Sequence, residues 1–126
     1  MGKGRIAYLS KMEAIDLLQL FFPKEILDHF DVVEYKVEGD DLTFVLEEKN
    51  ELPPGLNRID YESKGFSPAV KLQDFPLRNK AVFLMVRRRK WLEKNTGRII
   101  QHKWELSIDG TKYTKDFGAF LKGLLR

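Results

Sequence analysis

Apolar and polar residues recur at helical spacing at the two ends of this chain and alternate strictly in its middle. Ser10-Lys11-Met12-Glu13 reads as a capping box, in which the Ser10 hydroxyl takes an orphan N–H and Glu13 reaches back. It predicts a helix from Lys11 to Phe22. The apolar residues Ile15, Leu17, Leu18, Leu20, Phe21 and Phe22 cover more than one face, so this helix is expected to be buried or partnered. Pro23 breaks it and can open a second short helix, Lys24 to Phe30.

Period-2 alternation follows. In Asp31 to Glu38, Val33, Tyr35 and Val37 fall on one face. Gly39-Asp40-Asp41 supplies a turn, and Leu42, Phe44 and Leu46 continue the alternation in a return strand. Residues 50–67 read as a long loop with a short strand around Arg58 to Tyr61. Ala69 to Asp74 reads as a strand that Pro76 interrupts. The clearest strand is Lys80 to Trp91, with Val82, Leu84 and Val86 alternating against Ala81, Phe83 and Met85. Lys94-Asn95-Thr96-Gly97 turns the chain into a return strand, Arg98 to Ile108. Phe117, Phe120, Leu121 and Leu124 stand at i, i+3, i+4 and i+7, behind a Thr114 suited to cap a C-terminal helix. The predicted fold class is α+β: N-terminal helices, two antiparallel β-hairpins in a small sheet, and a C-terminal helix.

Length and charge sharpen this picture. At 126 residues with 43% apolar content, one domain with a real core is expected over 1–126. The net charge of +3 conceals a segregation. Residues 31–62 carry ten acidic and three basic side chains, net −7, whereas residues 78–126 carry thirteen basic and four acidic, net +9. The domain therefore divides into an acidic helix-and-hairpin part at about 10–62 and a basic hairpin and C-terminal helix part at about 66–126. Such asymmetry points to a polyanionic partner for the basic part. With no cysteine and only His29 and His102, neither a disulfide nor a metal site is expected, and no cofactor is implied. No apolar run reaches transmembrane length, and the N-terminal residues lack the apolar core of a signal peptide. The expectation is a cytoplasmic protein without a membrane partner.

Arg87-Arg88-Arg89-Lys90-Trp91 is the sharpest local feature. Four consecutive cations at the end of an apolar strand repel one another unless phosphates neutralise them, and arginine also forks onto guanine edges. Trp91 either stacks on a base or supports the hairpin together with Trp104. Lys103 lies on the return strand. Lys112 and Lys115 flank the start of the last helix, where a phosphate can sit. The candidate DNA contacts are therefore Arg87, Arg88, Arg89, Lys90, Trp91, Lys103, Lys112 and Lys115. His29 reads as a helix-end residue interacting with the dipole. Glu47-Glu48-Lys49 has the E-x-K spacing of a nuclease superfamily, and Asp40-Asp41 precede it. Those acids would hold Mg²⁺ only if brought together, and no catalytic residue is assigned.

An ordered set of segments carries a resemblance. It comprises Phe22-Pro23, Ile26 to Val33, Leu46 to Pro53, Ser63 to Phe66, Leu72 to Arg78, Val86 to Trp91, Trp104 and Gly110 to Lys122. Over about residues 12–126 the chain resembles the N-terminal region of insertion-sequence transposases of the ISAon-one type. The resemblance implies one part of a transposase split over two reading frames, preceding a catalytic portion with an acidic triad and an RNase-H-like fold. The role it implies is recognition of the element's terminal inverted repeats, or assembly with the catalytic subunit; a homo-oligomer is a further possibility. The related ISL-three type carries cysteine pairs near a comparable arginine-rich strand, which look like a zinc-binding unit. This chain has none, so the hairpin around Asn95-Thr96-Gly97 is expected to hold by strand pairing and by Trp91 and Trp104.

The favoured expectation is a non-catalytic, DNA-binding component of such a transposase. Two alternatives stand beside it: a protein-interaction module that docks the catalytic subunit, and a small Mg²⁺-dependent nuclease-like domain using Asp41, Glu47 and Lys49.

Overall fold

The structure, a computed structural model, describes Leu17, residues 20–107 and residues 111–124. The chain runs α1 (Lys24–His29), β1 (Phe30–Glu38), β2 (Asp41–Glu48), a 3-10 turn (Arg58–Asp60), β3 (Tyr61–Phe66) and β4 (Val70–Leu77). It continues through β5 (Lys80–Arg87), β6 (Arg89–Glu93) and β7 (Ile99–Ile100) to α2 (Lys115–Leu124). The strands form a four-stranded sheet of order β1-β2-β5-β4 and a three-stranded sheet of order β3-β6-β7.

This corrects the expected fold class. Two helices and seven strands are seen among the described residues, not N-terminal helices with two antiparallel hairpins in one small sheet. The predicted helix from Lys11 to Phe22 lies almost wholly outside the described residues. Strands β2 and β5, the two centre strands, pair in parallel, with Leu42 opposite Val82, Phe44 opposite Leu84 and Leu46 opposite Val86. A parallel pair needs a long crossover, here residues 49–79, which themselves contribute β3 and β4. No short-range turn signal announces that pairing. It also places a strand of the acidic part against a strand of the basic part.

The expected strand from Lys80 to Trp91 is two strands. The chain leaves the first sheet after Arg87 and enters the second at Arg89, so Arg88 is the hinge between the sheets. The return strand expected from Arg98 to Ile108 keeps a ladder only at Ile99 and Ile100, opposite Leu92 and Trp91. Strand β4 runs through Pro76, because β4 is an edge strand and a missing N–H costs nothing there. A register shift between Asp74 and Leu77 accompanies it.

The core forms where the alternation of the centre strands meets α1. Leu42, Phe44, Leu46, Val82, Leu84 and Val86 are buried with Phe22, Ile26, Phe30 and Leu72. Each buried aliphatic or aromatic side chain of this kind contributes about 2 kcal/mol through its removal from water. Phe22 meets Phe44 edge-on at 4.9 Å. A bulge in β1 alters which residues face this core. Val32 pairs with Leu46 and Glu34 with Val45, so Val33 is skipped. Val32, not Val33, packs with Tyr35 and Val37, and Val33 is left 50% exposed.

Candidate nucleic-acid interface

The arginine run sits at the junction of the two sheets, and its members have different surroundings. Arg87 ends β5 opposite Glu47, and its Nη1 donates to Glu47 Oε2 at 3.0 Å. Arg89 opens β6 and serves as a staple between the sheets. Its backbone N–H donates to Glu48 Oε1 at 3.0 Å. Its Nε and Nη2 fork onto the Glu48 backbone oxygen at 3.4 and 3.3 Å, and its Nη1 donates to Ser63 Oγ at 2.6 Å. The guanidinium lies 4.6 Å from the centre of the Phe66 ring. Glu48 is 4% exposed, so the Arg89 N–H supplies a hydrogen bond that a buried carboxylate requires. Two of the three arginines are thus neutralised or spent within the fold.

Arg88 and Lys90 are not. Both are half-buried, and neither makes an ion pair among the described residues. The Arg88 Nε is buried without a hydrogen-bond partner. The Arg88 backbone oxygen accepts from the Ser67 N–H at 2.8 Å, and Ser67 Oγ accepts from Gln101, which places residue 101 beside the junction. Lys103 follows two residues later, exposed and without an ion pair among the described residues.

Trp91 takes the supporting role of the two the sequence left open. It is 1% exposed, pairs with Ser63 and Ile100, and carries the Arg58 guanidinium at 5.5 Å. No face of Trp91 is offered to a nucleobase. Trp104 packs on Phe30 at 5.3 Å and stacks with His102 at 3.9 Å, with His29 on it at 4.8 Å. His29 occupies the last turn of α1.

Lys112 and Lys115 belong to a second location. The Lys112 backbone oxygen accepts from Gln73 N, and Thr114 N donates to Gln73 O, so residues 112–114 line part of the β4 edge. Gln73 lies opposite Phe83, four residues or about 13 Å along β5 from Arg87. Thr114 Oγ1 donates to Asp74 Oδ1 at 2.8 Å, which ties the start of α2 to β4. Lys115 is drawn towards Glu105 at 3.6 Å, whereas Lys112 is exposed and makes no ion pair among the described residues. The eight predicted residues therefore form no single cluster.

The turn after β6 is held by Glu93, which accepts from Thr96 and, at 2.9 Å, from the Tyr61 hydroxyl. Those two hydrogen bonds, Thr96 first, hold the Glu93 carboxyl below its ordinary range, with Arg98 adding to them against the raising effect of desolvation. The same bond to Glu93 pushes the Tyr61 phenol up.

The acids considered for Mg²⁺ are not assembled. Asp41 and Glu47 share a face of β2 but lie about 20 Å apart along it, and Glu48 points into the core. Among the described residues no group of three His, Asp or Glu side chains is placed to hold a metal. No described helix is long and apolar enough to cross a membrane. Sequence reasoning missed the acids that engage the arginine run. Glu47 and Glu48 precede it by about 40 residues, and only the parallel pairing of β2 with β5 brings them there. No family model, curated protein or solved structure matches this chain.

Proposed function

We propose that this chain is the non-catalytic N-terminal component of a split insertion-sequence transposase, and that it binds the element's terminal DNA through Arg88 and Lys90, with Lys103 and Lys112 as outer phosphate contacts. The observation that carries the reading is the division within the arginine run. Arg87 and Arg89 have partners inside the fold, whereas Arg88 and Lys90 keep their charge at the sheet junction with no acid beside them among the described residues. A half-buried guanidinium with an unpartnered N–H is costly to hold in place. A phosphate oxygen would supply both the missing acceptor and the missing charge. The resemblance to the ISAon-one type names the element's ends as the source of that phosphate.

The test is a fluorescence-anisotropy titration with a labelled duplex carrying the element's terminal repeat, repeated at several salt concentrations. Arg88→Ala and Lys90→Ala should each weaken binding and reduce the salt slope by about one for every phosphate left without its cation. Arg87→Ala should leave both nearly unchanged. Equal affinity and equal slope for Arg88→Ala, Lys90→Ala and the unaltered chain would overturn the assignment.

A further inference from the structure

Helix α2 covers only part of its own apolar stripe. Phe117 is buried, but Phe120 is 51% and Leu124 66% exposed. Beside them, between the entry to α1, the edge of β4 and the start of α2, lies a cavity of about 410 Å³. Phe44 and Val82 from the core form its apolar floor, and Phe75 and Leu77 form a wall. Phe75 also touches Phe117 at 5.1 Å and Phe120 at 5.6 Å. The ridge formed by Phe120 and Leu124 and the cavity are therefore neighbours on one surface, with Phe75 between them.

A ridge beside a hole is self-complementary under a two-fold axis, because each copy can place its ridge in the other's hole. The helix direction agrees. The cavity mouth is at the N-terminal end of α2, where Thr114, Lys115 and Asp116 line it, and the ridge occupies the C-terminal half. Antiparallel packing of two α2 helices lays the C-terminal half of each over the mouth in the other. Charges match in the same arrangement. The mouth also carries Glu25 and Glu105, so acids outnumber its one lysine, while the ridge carries Lys122, exposed and without an ion pair among the described residues. An antiparallel pair centred on Ala119 sets Lys122 of one copy opposite Asp116 of the other.

We infer that α2 is the centre of a two-fold interface between two copies of this chain, in which Phe120 and Leu124 of each enter the cavity of the other and Lys122 meets Asp116. This inference does not rest on DNA binding, and its test contains no DNA. Sedimentation equilibrium of the full chain, from about 1 to 500 µM, should show a reversible monomer–dimer equilibrium. Phe120→Lys should raise the dimer Kd at least tenfold, and an unchanged circular-dichroism melt would show that the exposed position leaves the fold intact. Lys122→Glu alone should weaken the dimer, and Lys122→Glu combined with Asp116→Lys should restore much of it. A chain that stays monomeric throughout, or a dimer indifferent to Phe120→Lys and Lys122→Glu, would overturn the inference. So would a monomer whose Phe120 surface instead captures the purified catalytic subunit.

Discussion

Arg88 and Arg89 are adjacent in sequence, and the same substitution at each should act in opposite ways. Arg89→Met removes the 2.6 Å bond to Ser63, the fork onto the Glu48 backbone oxygen and the contact with the Phe66 ring. The Ser63 bond contributes about 1 kcal/mol, the two longer fork contacts together about 1, and the Phe66 contact about 0.5. The Arg89 N–H bond to Glu48 is backbone-borne and survives. The total loss is about 2.5 kcal/mol, a large share of an ordinary domain's stability but not enough to unfold it. In urea, with a slope of about 1.5 kcal/mol/M for a chain of this size, the midpoint should fall by roughly 1.5 M. Arg88→Met removes a buried N–H that has no partner, so the midpoint should hold or rise slightly while DNA affinity falls. Both readouts use the same purified variants, and loss of Trp91 and Trp104 burial gives the fluorescence signal for unfolding. The reasoning fails if Arg89→Met leaves the midpoint within about 0.3 M of the parent, or if Arg88→Met is the more destabilising of the two.

Two further outcomes are expected. Gly39 occupies the first position of the β1–β2 turn at φ 59 with open space around its α-carbon, so Gly39→Ala should cost about 1 kcal/mol from backbone conformation alone, read as a lower thermal midpoint. Because Glu93 is held below its ordinary 4.5, the stability it adds is complete above pH 4.5 and is lost as the pH falls through the lowered value. Tyr61 is raised above 10.0, so its share is complete below pH 10.0 and is lost as the pH rises through the raised value. Urea midpoints measured from pH 2 to 11 should therefore fall at both limits, and Glu93→Gln should flatten both.

How much of this was legible depended on sequence separation. The alternation of Leu42, Phe44 and Leu46, and of Val82, Leu84 and Val86, is a local pattern, and those residues do line the core. The bulge at Val33 was not legible. Either Val32 or Val33 satisfies a period of 2, and only the register against Leu46 and Val45 selects between them. Within the site, the cations could be named from composition, but their availability could not. Arg87 and Arg89 are withdrawn by Glu47, Glu48 and Ser63, all far away in the chain.

The sequence by itself determined that this chain has apolar strands ending in a basic run, an amphipathic C-terminal helix, and no thiol with which to build a zinc unit. These follow from residue identity and short-range periodicity, which act over a few residues. Tertiary structure decided that β2 lies parallel to β5, that the chain changes sheets at Arg88, and that Trp91 is enclosed. It thereby decided which of four consecutive cations keep an unspent charge. The physical reason is that strand pairing and ion pairing are rewarded only after a long loop has closed. Their outcome depends on which distant surfaces fit together, not on the local run that takes part.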